Sequence, residues 1–317
     1  MKPQFQQRFQ IYKISSQPDL NGQFADPRLA AVAPGQIITG IELHLDTDAP
    51  FLLRGRCHRV SYDSLETKTQ VGIQNLGLRF AGPDQNFFSS QFIPQNLVMP
   101  YGGQGGAWKP VTPQVLYPAG SQLVVEIQNT GTSTLTNLEL YWLGVKLYPW
   151  GTVQAYTYPK KFKQIPFVYP INPMTSGNPD GMIQNLAPTD QRLAQIFQVL
   201  NDADFVVRYG QAGPSFAPFG LEVFVTLRDE SDKAFSNAPC HVEVLFGPSN
   251  GNYQCGGVTI PAIGTGNFQP SVIFPEIYVP TSHQLKYDIS RADGAYAGSA
   301  TIPDYPINLV GAKVYPQ

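Results

Sequence analysis

The chain has 317 residues, a formal net charge of −2, and 14% charged against 42% hydrophobic residues. With near-neutral charge and no basic stripe it does not look like a nucleic-acid binder, and no run of about 18 apolar residues is present to span a membrane. Glycine and proline, 29 of each, call for many turns between short strands and speak against a helical enzyme.

Residues 1–32 are Gln-rich, with Phe5, Phe9, Ile11 and Tyr12 as the apolar points. They read as an extended arm with too few apolar groups to offset the entropy of ordering alone. The start, MKPQFQQRFQIY, lacks the apolar stretch of a secretory signal. From Gln36 the pattern turns to strands. IELHLD alternates Ile41, Leu43 and Leu45 with Glu42, His44 and Asp46, as a half-buried strand does. FLLRGRCHRVSY, TQVGIQNLGLRF and QLVVEIQN follow, with the Gly-rich loop YGGQGGAW before the last of these. LTNLELYWLGVKLYP is the best alternating run in the chain.

Residues 150–186 carry a proline-dense stretch, TYPKKFKQIPFVYPINPMTSGNPDG. Proline has no amide donor and a fixed φ, which excludes a helix or a central strand. The aromatics Tyr156, Tyr158, Phe162, Phe167 and Tyr169 argue for an arm lying on a surface, its own or a neighbour's. Beyond it, DQRLAQIFQVL has helical spacing at Leu193, Ile196, Phe197 and Leu200. DFVVRYG, LEVFVTLRD, HVEVLFG, GGVTIPAI, HQLKYDIS and NLVGAKVYP then read as strands.

The chain also repeats itself. PAGSQLVVEI near residue 120 matches PTSHQLKYDI near 282, and LGVKLYP at 143–149 matches VGAKVYP at 310–316. TDAPFLLRG around Phe51 and Arg54 faces DADFVVRYG around Phe205 and Arg208, and APGQIITGI from Ala33 faces APTDQRLAQI from Ala187. Four matches in one order, so far apart, imply two copies of a whole domain. The repeat also decides the conflict at Gln191–Leu200 in favour of a strand. The fold class expected is all-β, with two tandem β-sandwich or jelly-roll-like domains at 33–149 and 187–317. The arms at 1–32 and 150–186 precede and join them, as the places where partners attach.

No reactive constellation stands out. His44, His58, His241 and His283 form no ligand cluster, and HExxH, GxSxG, P-loop and EF-hand runs are missing. GQGG at Gly103–Gly106 lacks the Lys and the strand-to-helix context of a phosphate loop. Asp229, Glu230 and Asp232 crowd together like a calcium loop, but three acids in a hairpin read first as a solvated turn. Lys160, Lys161 and Lys163 read as part of a solvated linker. Cys57, Cys240 and Cys255 are an odd set, expected as buried free thiols, although Cys240 and Cys255 can be imagined facing across a hairpin. Glu126 and Asp288 occupy equivalent repeat positions, which argues for structural roles; the repeated Arg54 and Arg208 are their expected ion-pair partners. No catalytic residue, cofactor site or metal site is assigned, and the chain is read as a non-enzyme.

The low charge, the Gln/Asn/Pro/Gly-rich surface, the repeated closing strands LYWLGVKLYP and NLVGAKVYP and the long arms resemble structural proteins of tailed-phage virions. The resemblance implies a homo-oligomer on a larger particle, assembled in a host cytoplasm as a capsid decoration or cement protein, with major capsid or tail proteins as partners. Two alternatives stay open. One is a carbohydrate- or receptor-binding module of a fibre, with Tyr101, Trp108 and Phe268 as aromatic platforms beside Gly-rich loops. The other is a self-assembling fibre or tube protein.

Overall fold

The structure is a computed structural model; it describes residues 5–17, 20, 25–61, 76–99, 109–149, 162–170, 183–186, 191–212, 223–241, 244–245, 253–255, 258–260, 271–291, 302–305 and 307–316. Contacts divide the chain into unit 1 (residues 1–102 and 107–153) and unit 2 (103–106 and 154–317).

Unit 1 holds β1 (Phe5–Ile14), β2 (Ala31–Val32), β3 (Ile37–His44), β4 (Phe51–Ser61), β5 (Leu76–Ala81), β6 (Ile93–Pro94), the one-turn helix α1 (Gln95–Val98), β7 (Lys109–Tyr117), β8 (Gln122–Asn129) and β9 (Leu135–Pro149). One sheet runs β1-β9-β4-β7, with β2 paired to β9, and the other runs β3-β8-β5-β6. Apart from the short β2, the eight strands are distributed over the two sheets in the interleaved order of a jelly roll, with only β5 and β6 consecutive within one sheet. Ile38, Ile41, Leu43, Leu78, Leu123, Val125 and Ile127 from one sheet meet Tyr12, Ile14, Phe51, Leu53, Leu138, Leu140 and Trp142 from the other in a single buried core.

Unit 2 holds β10 (Phe162–Pro170), β11 (Ile183–Leu186), β12 (Gln191–Gln198), β13 (Asp204–Ala212), β14 (Val223–Arg228), β15 (Cys240–His241), β16 (Tyr253–Cys255), β17 (Val258–Ile260), β18 (Ser271–Val279), β19 (Gln284–Arg291), β20 (Ile302–Tyr305) and β21 (Ile307–Pro316). Its two large sheets run β10-β21-β13-β18 and β12-β19-β14-β15, the same order as in unit 1. The two-stranded pairs β11-β20 and β16-β17 are additional. Within the stretch of helical spacing at 191–200, Gln191–Gln198 forms the edge strand β12, the strand expected there. HVEVLFG departs from expectation: only Cys240–His241 lies in a strand, and Val244–Leu245 sit in a helical turn.

The expected arms contribute strands to their own units. β1 pairs with β9 from Phe5↔Pro149 to Ile14↔Leu140, and β10 pairs with β21 from Phe162↔Pro316 to Pro170↔Asn308. The registers are equivalent: Phe5 matches Phe162, Gln7 matches Gln164 and Tyr12 matches Tyr169. Prolines inside β7, β10 and β18 are tolerated because all three are edge strands, where a missing donor costs no ladder bond.

The centre of each unit depends on one close approach. β4 bulges between Leu53 and Gly55 against β9, and β13 bulges between Val207 and Tyr209 against β21. Arg54 and Arg208 are the extra residues of these bulges. Opposite them sit Gly144 and Gly311. A Cβ on Gly144 would collide with the Leu52 carbonyl and lie 2.6 Å from the Phe51 ring; one on Gly311 would collide with the Val206 carbonyl and lie 3.1 Å from the Phe205 ring. Gly144→Ala and Gly311→Ala are each expected to cost about 1–3 kcal/mol through overpacking. Calorimetric melting that stays within about 0.5 kcal/mol of wild type would show that the strands separate freely.

Candidate functional site

Beyond Gly144 along β9 come Lys146 and Tyr148, and beyond Gly311 along β21 come Lys313 and Tyr315. Lys146 pairs directly with Phe51, and Lys313 with Phe205, so each ammonium is carried along the core face to the end of the sandwich. The Lys146 side chain is 2% exposed, and its stem is covered while its head meets the loop joining β3 to β4. There Nζ contacts a carboxylate oxygen of Asp46 and lies 2.8 Å from Asp48 Oδ1. The Tyr148 hydroxyl donates to Asp48 Oδ2 at 2.5 Å, and the Tyr12 hydroxyl donates to Asp46 Oδ2 at 3.0 Å. The Tyr12 ring stands edge-on to Phe51, with centroids 4.9 Å apart, and the Lys146 ammonium lies 6.0 Å from its centroid.

Unit 2 builds the same cluster with one carboxylate fewer. Lys313 Nζ donates to Asp202 Oδ2 at 2.6 Å, and the Tyr315 hydroxyl donates to the same oxygen at 3.1 Å. The Lys313 ammonium lies 4.0 Å from the Phe167 ring centroid and 5.7 Å from that of Tyr169. Tyr169 stands edge-on to Phe205 at 4.7 Å, and its hydroxyl accepts from Leu200 N at 3.2 Å, where Tyr12 accepts from Asp46 N at 3.4 Å. The hydrogen bond from Lys313 holds the Asp202 carboxyl below its ordinary range.

The repeated arginines do not pair with the repeated acids. Arg54 donates to Gln7 Oε1 at 3.2 Å and Arg208 to Gln164 Oε1 at 2.7 Å. As bulge residues of the β4 and β13 sheets, they reach sideways to the outer strands β1 and β10. Glu126 and Asp288 lie in the opposite sheets and are paired there, Glu126 with Arg79 at 3.1 Å and Asp288 with Arg228 at 3.0 Å. Arg79 sits directly across from Glu126, whereas Arg228 reaches Asp288 from two positions along its strand.

The acidic hairpin is occupied by its own bonds. Asp229 Oδ1 accepts from Ser231 N, Ser231 Oγ and Lys233 N at 3.1, 2.7 and 2.9 Å. Asp232 takes Lys286 at 2.8 Å, and Glu230 meets His283. Among the described residues no three His, Cys, Asp or Glu side chains gather at a metal-binding distance. His44 shares contacts with Gln122, His58 faces the Met99 carbonyl at 2.6 Å, and His241 stands edge-on to Phe224. Cys57 and Cys240 are buried free thiols, and Cys240 lies in a different sheet from Cys255. Tyr101, Trp108, Phe268, Lys160, Lys161 and Gly103–Gly106 lie outside the described residues; Lys163 is exposed on β10.

A second feature, unmarked in the sequence reading, lies on the face of the β3-β8-β5-β6 sheet turned away from the core. Arg79 Cζ lies 4.4 Å from the Phe87 ring centroid and 5.7 Å from that of Phe92. Phe87 bridges to Ala81, and the Phe92 side chain lies over Gly77. Gln122, Val124, Glu126 and Gln128 continue the same face on β8, and His44 and Glu42 extend it on β3. The signal available in the sequence was the small residues Gly77 and Ala81 alternating with Arg79, shortly before Phe87, Phe88 and Phe92.

No protein-family model matches the chain, and no curated protein matches it. Among solved structures it is similar to the N-terminal CBM22-1–CBM22-2 tandem domain of Xyn10C from Paenibacillus barcinonensis, at 9% identity over 88% of this chain and 83% of that one, with a TM-score of 0.15. It is also similar to infectious bursal disease virus, Gx strain, at 11% identity over 99% of this chain and 71% of that one, with a TM-score of 0.17. At such TM-scores neither likeness bears on fold or function.

The tyrosines make a pH prediction. Burial, and then the Asp46 carboxylate, push the Tyr12 phenol up; burial and the bond to Asp48 push Tyr148 up; burial pushes Tyr117 up to about 12. A phenol whose folded pKa is raised contributes stability that is complete below its unfolded value of about 10 and is lost as pH climbs from there. The melting temperature is therefore expected to fall steeply above about pH 10, and Tyr12→Phe to flatten that fall. A pH–Tm profile level to pH 12 would contradict the burial of these hydroxyls.

Proposed function

We propose that the chain is a non-enzymatic structural component of a virion, binding other copies of itself and capsid or tail proteins to stabilise a head or tail assembly. The observation that carries this reading is the character of the outer strands of unit 2. Ile196 and Leu200, on and just beyond edge strand β12, are 57% and 54% exposed, and Val168 on edge strand β10 is 49% exposed. Phe162 and Ile165 on β10 are exposed as well. Large apolar side chains along paired-on-one-side strands are a template for another chain. In unit 1 the equivalent of Val168 is Ile11, which is fully buried.

The ionisable groups support the non-enzymatic part. The clusters around Lys146 and Lys313 recur at equivalent places with their acids and phenols bonded to one another, which suits a strut that pins a loop to a strand. A reactive group has no need of a second copy at the equivalent position of another domain.

Light scattering on the purified chain, and its co-sedimentation with particles, test the proposal. Ile196→Glu and Val168→Glu place charges on the edge strands and are expected to reduce self-association or particle loading by about tenfold or more. Circular dichroism checks that both variants remain folded. A wild-type chain that stays monomeric and never loads onto particles would sink the reading.

A further inference from the structure

We propose that the outer face of the β3-β8-β5-β6 sheet in unit 1 is a binding site for an uncharged saccharide chain, with Phe87 and Phe92 as the stacking platform. Three observations converge on it. First, the rings are held rather than loose. The Arg79 guanidinium lies beside both, is itself anchored to Glu126 at 3.1 Å, and the sheet beneath offers only Gly77 and Ala81, so the rings sit low against the strands. Phe87 keeps 36% of its surface open to water. A fixed, half-open aromatic ring bounded by polar groups is a surface on which the apolar face of a pyranose ring rests at little entropic cost.

Second, the polar groups beside the rings fit hydroxyls and not anions. The charge of Arg79 is balanced by Glu126 within the face and Glu42 adds a carboxylate, which leaves no net positive field for a phosphate. Gln122, Gln128, Glu42 and His44 supply amide, carboxylate and imidazole groups on neighbouring strands, all on this one face. Donors and acceptors in alternation match sugar hydroxyls, each of which both donates and accepts.

Third, the feature belongs to unit 1 alone. In unit 2 the position of Phe87 is Ala234, that of Phe92 is Pro239 and that of Arg79 is Thr226, as the matched turns Gly82–Phe88 and Asp229–Phe235 show. Next to Phe87, Phe88 is 53% exposed, whereas its counterpart Phe235 is 7% exposed. A platform needed for folding would recur with the shared framework; this one does not. A protein partner would call for a wide apolar centre, whereas here the rings are flanked by hydrogen-bonding side chains.

The test uses the full chain on a printed array of neutral and acidic oligosaccharides and bacterial surface polysaccharides, followed by calorimetric titration with the best neutral hit. Binding by wild type is expected to weaken by about tenfold in Phe87→Ala and to change less than about twofold between low and high salt. Ile196→Ala, on unit 2, leaves it unchanged. Circular dichroism and particle loading are read in parallel. The proposal is overturned if no saccharide is retained, if Phe87→Ala binds as well as wild type, if only acidic glycans bind with steep salt dependence, or if Phe87→Ala abolishes particle loading and no glycan binds. The last outcome would identify the face as a protein contact. Loading that survives Phe87→Ala leaves the assembly role standing whatever the glycan result.

Discussion

Everything in each unit hangs on one strand-to-strand approach that a single methyl group would forbid. β4 and β13 bulge toward the long strands β9 and β21, and the bulges are met by Gly144 and Gly311. Because no Cβ intervenes, Phe51 and Phe205 lay their rings across the gap, and Tyr12 and Tyr169 stand edge-on to them. Two residues further on, Lys146 and Lys313 emerge on the same face, since side chains alternate with a period of two. Their ammonium groups end among tyrosine hydroxyls and the acids of the loop that leads into the bulged strand. The glycine, the aromatic pair and the lysine strut are therefore one device. It fixes the register of the outermost strand, the central strand and the bulged strand together, and it sets the bulge arginines facing Gln7 and Gln164.

This device explains which parts of the fold were legible in the sequence. LGVKLYP and VGAKVYP share Gly, Lys and Tyr at identical spacing, and each of these residues meets a partner within the device. The strand at Gln191–Gln198 was legible for the same reason: its helical spacing is a local signal, whereas its pairing with β19 is imposed by the rest of the sheet. The first strands were not legible as strands. FQQRFQIY and FKQIPFVY share Phe, Gln and Tyr at matching registers, but glutamines in one and prolines in the other hide the alternation that marks a buried strand. Both lie at sheet edges, where neither residue type is penalised. The pairing of Arg54 with Glu126 failed for a different reason. Equivalence along a repeat says that two residues share a role between copies, not that they touch within one copy. The bulge sends Arg54 away from the sheet that carries Glu126.

The histidines, cysteines and acidic hairpin carry no distinctive signal as isolated letters, and the structure shows the contacts they make. Asp229 is consumed by its own turn, and its neighbours Glu230 and Asp232 by side chains of the adjacent β19 hairpin. The aromatic face around Arg79 was missed because its signal is a juxtaposition. Phe87 and Phe92 come from a loop, Arg79 from β5 and Glu126 from β8, and only the sheet order brings them together.

Function in such a molecule is to be sought where the two units differ, because the shared positions are accounted for by folding. The core residues, bulges and lysine struts are common to both. The differences lie on surfaces: Ile11 is buried where Val168 is open, Phe88 and Leu97 are open where Phe235 and Val244 are buried, and Phe87 faces water where unit 2 has Ala234. The Phe87 ring packs on Arg79 and still leaves 36% of its surface open, where unit 2 has alanine at the equivalent position; the proposed saccharide platform rests on that difference. Open apolar side chains lie on the edge strands of both units, Ile165, Val168 and Ile196 on β10 and β12, and Phe5, Ile37 and Leu116 on β1, β3 and β7. A two-unit chain can thus carry two different surfaces on one framework, each altered without disturbing the glycine–lysine device beneath it.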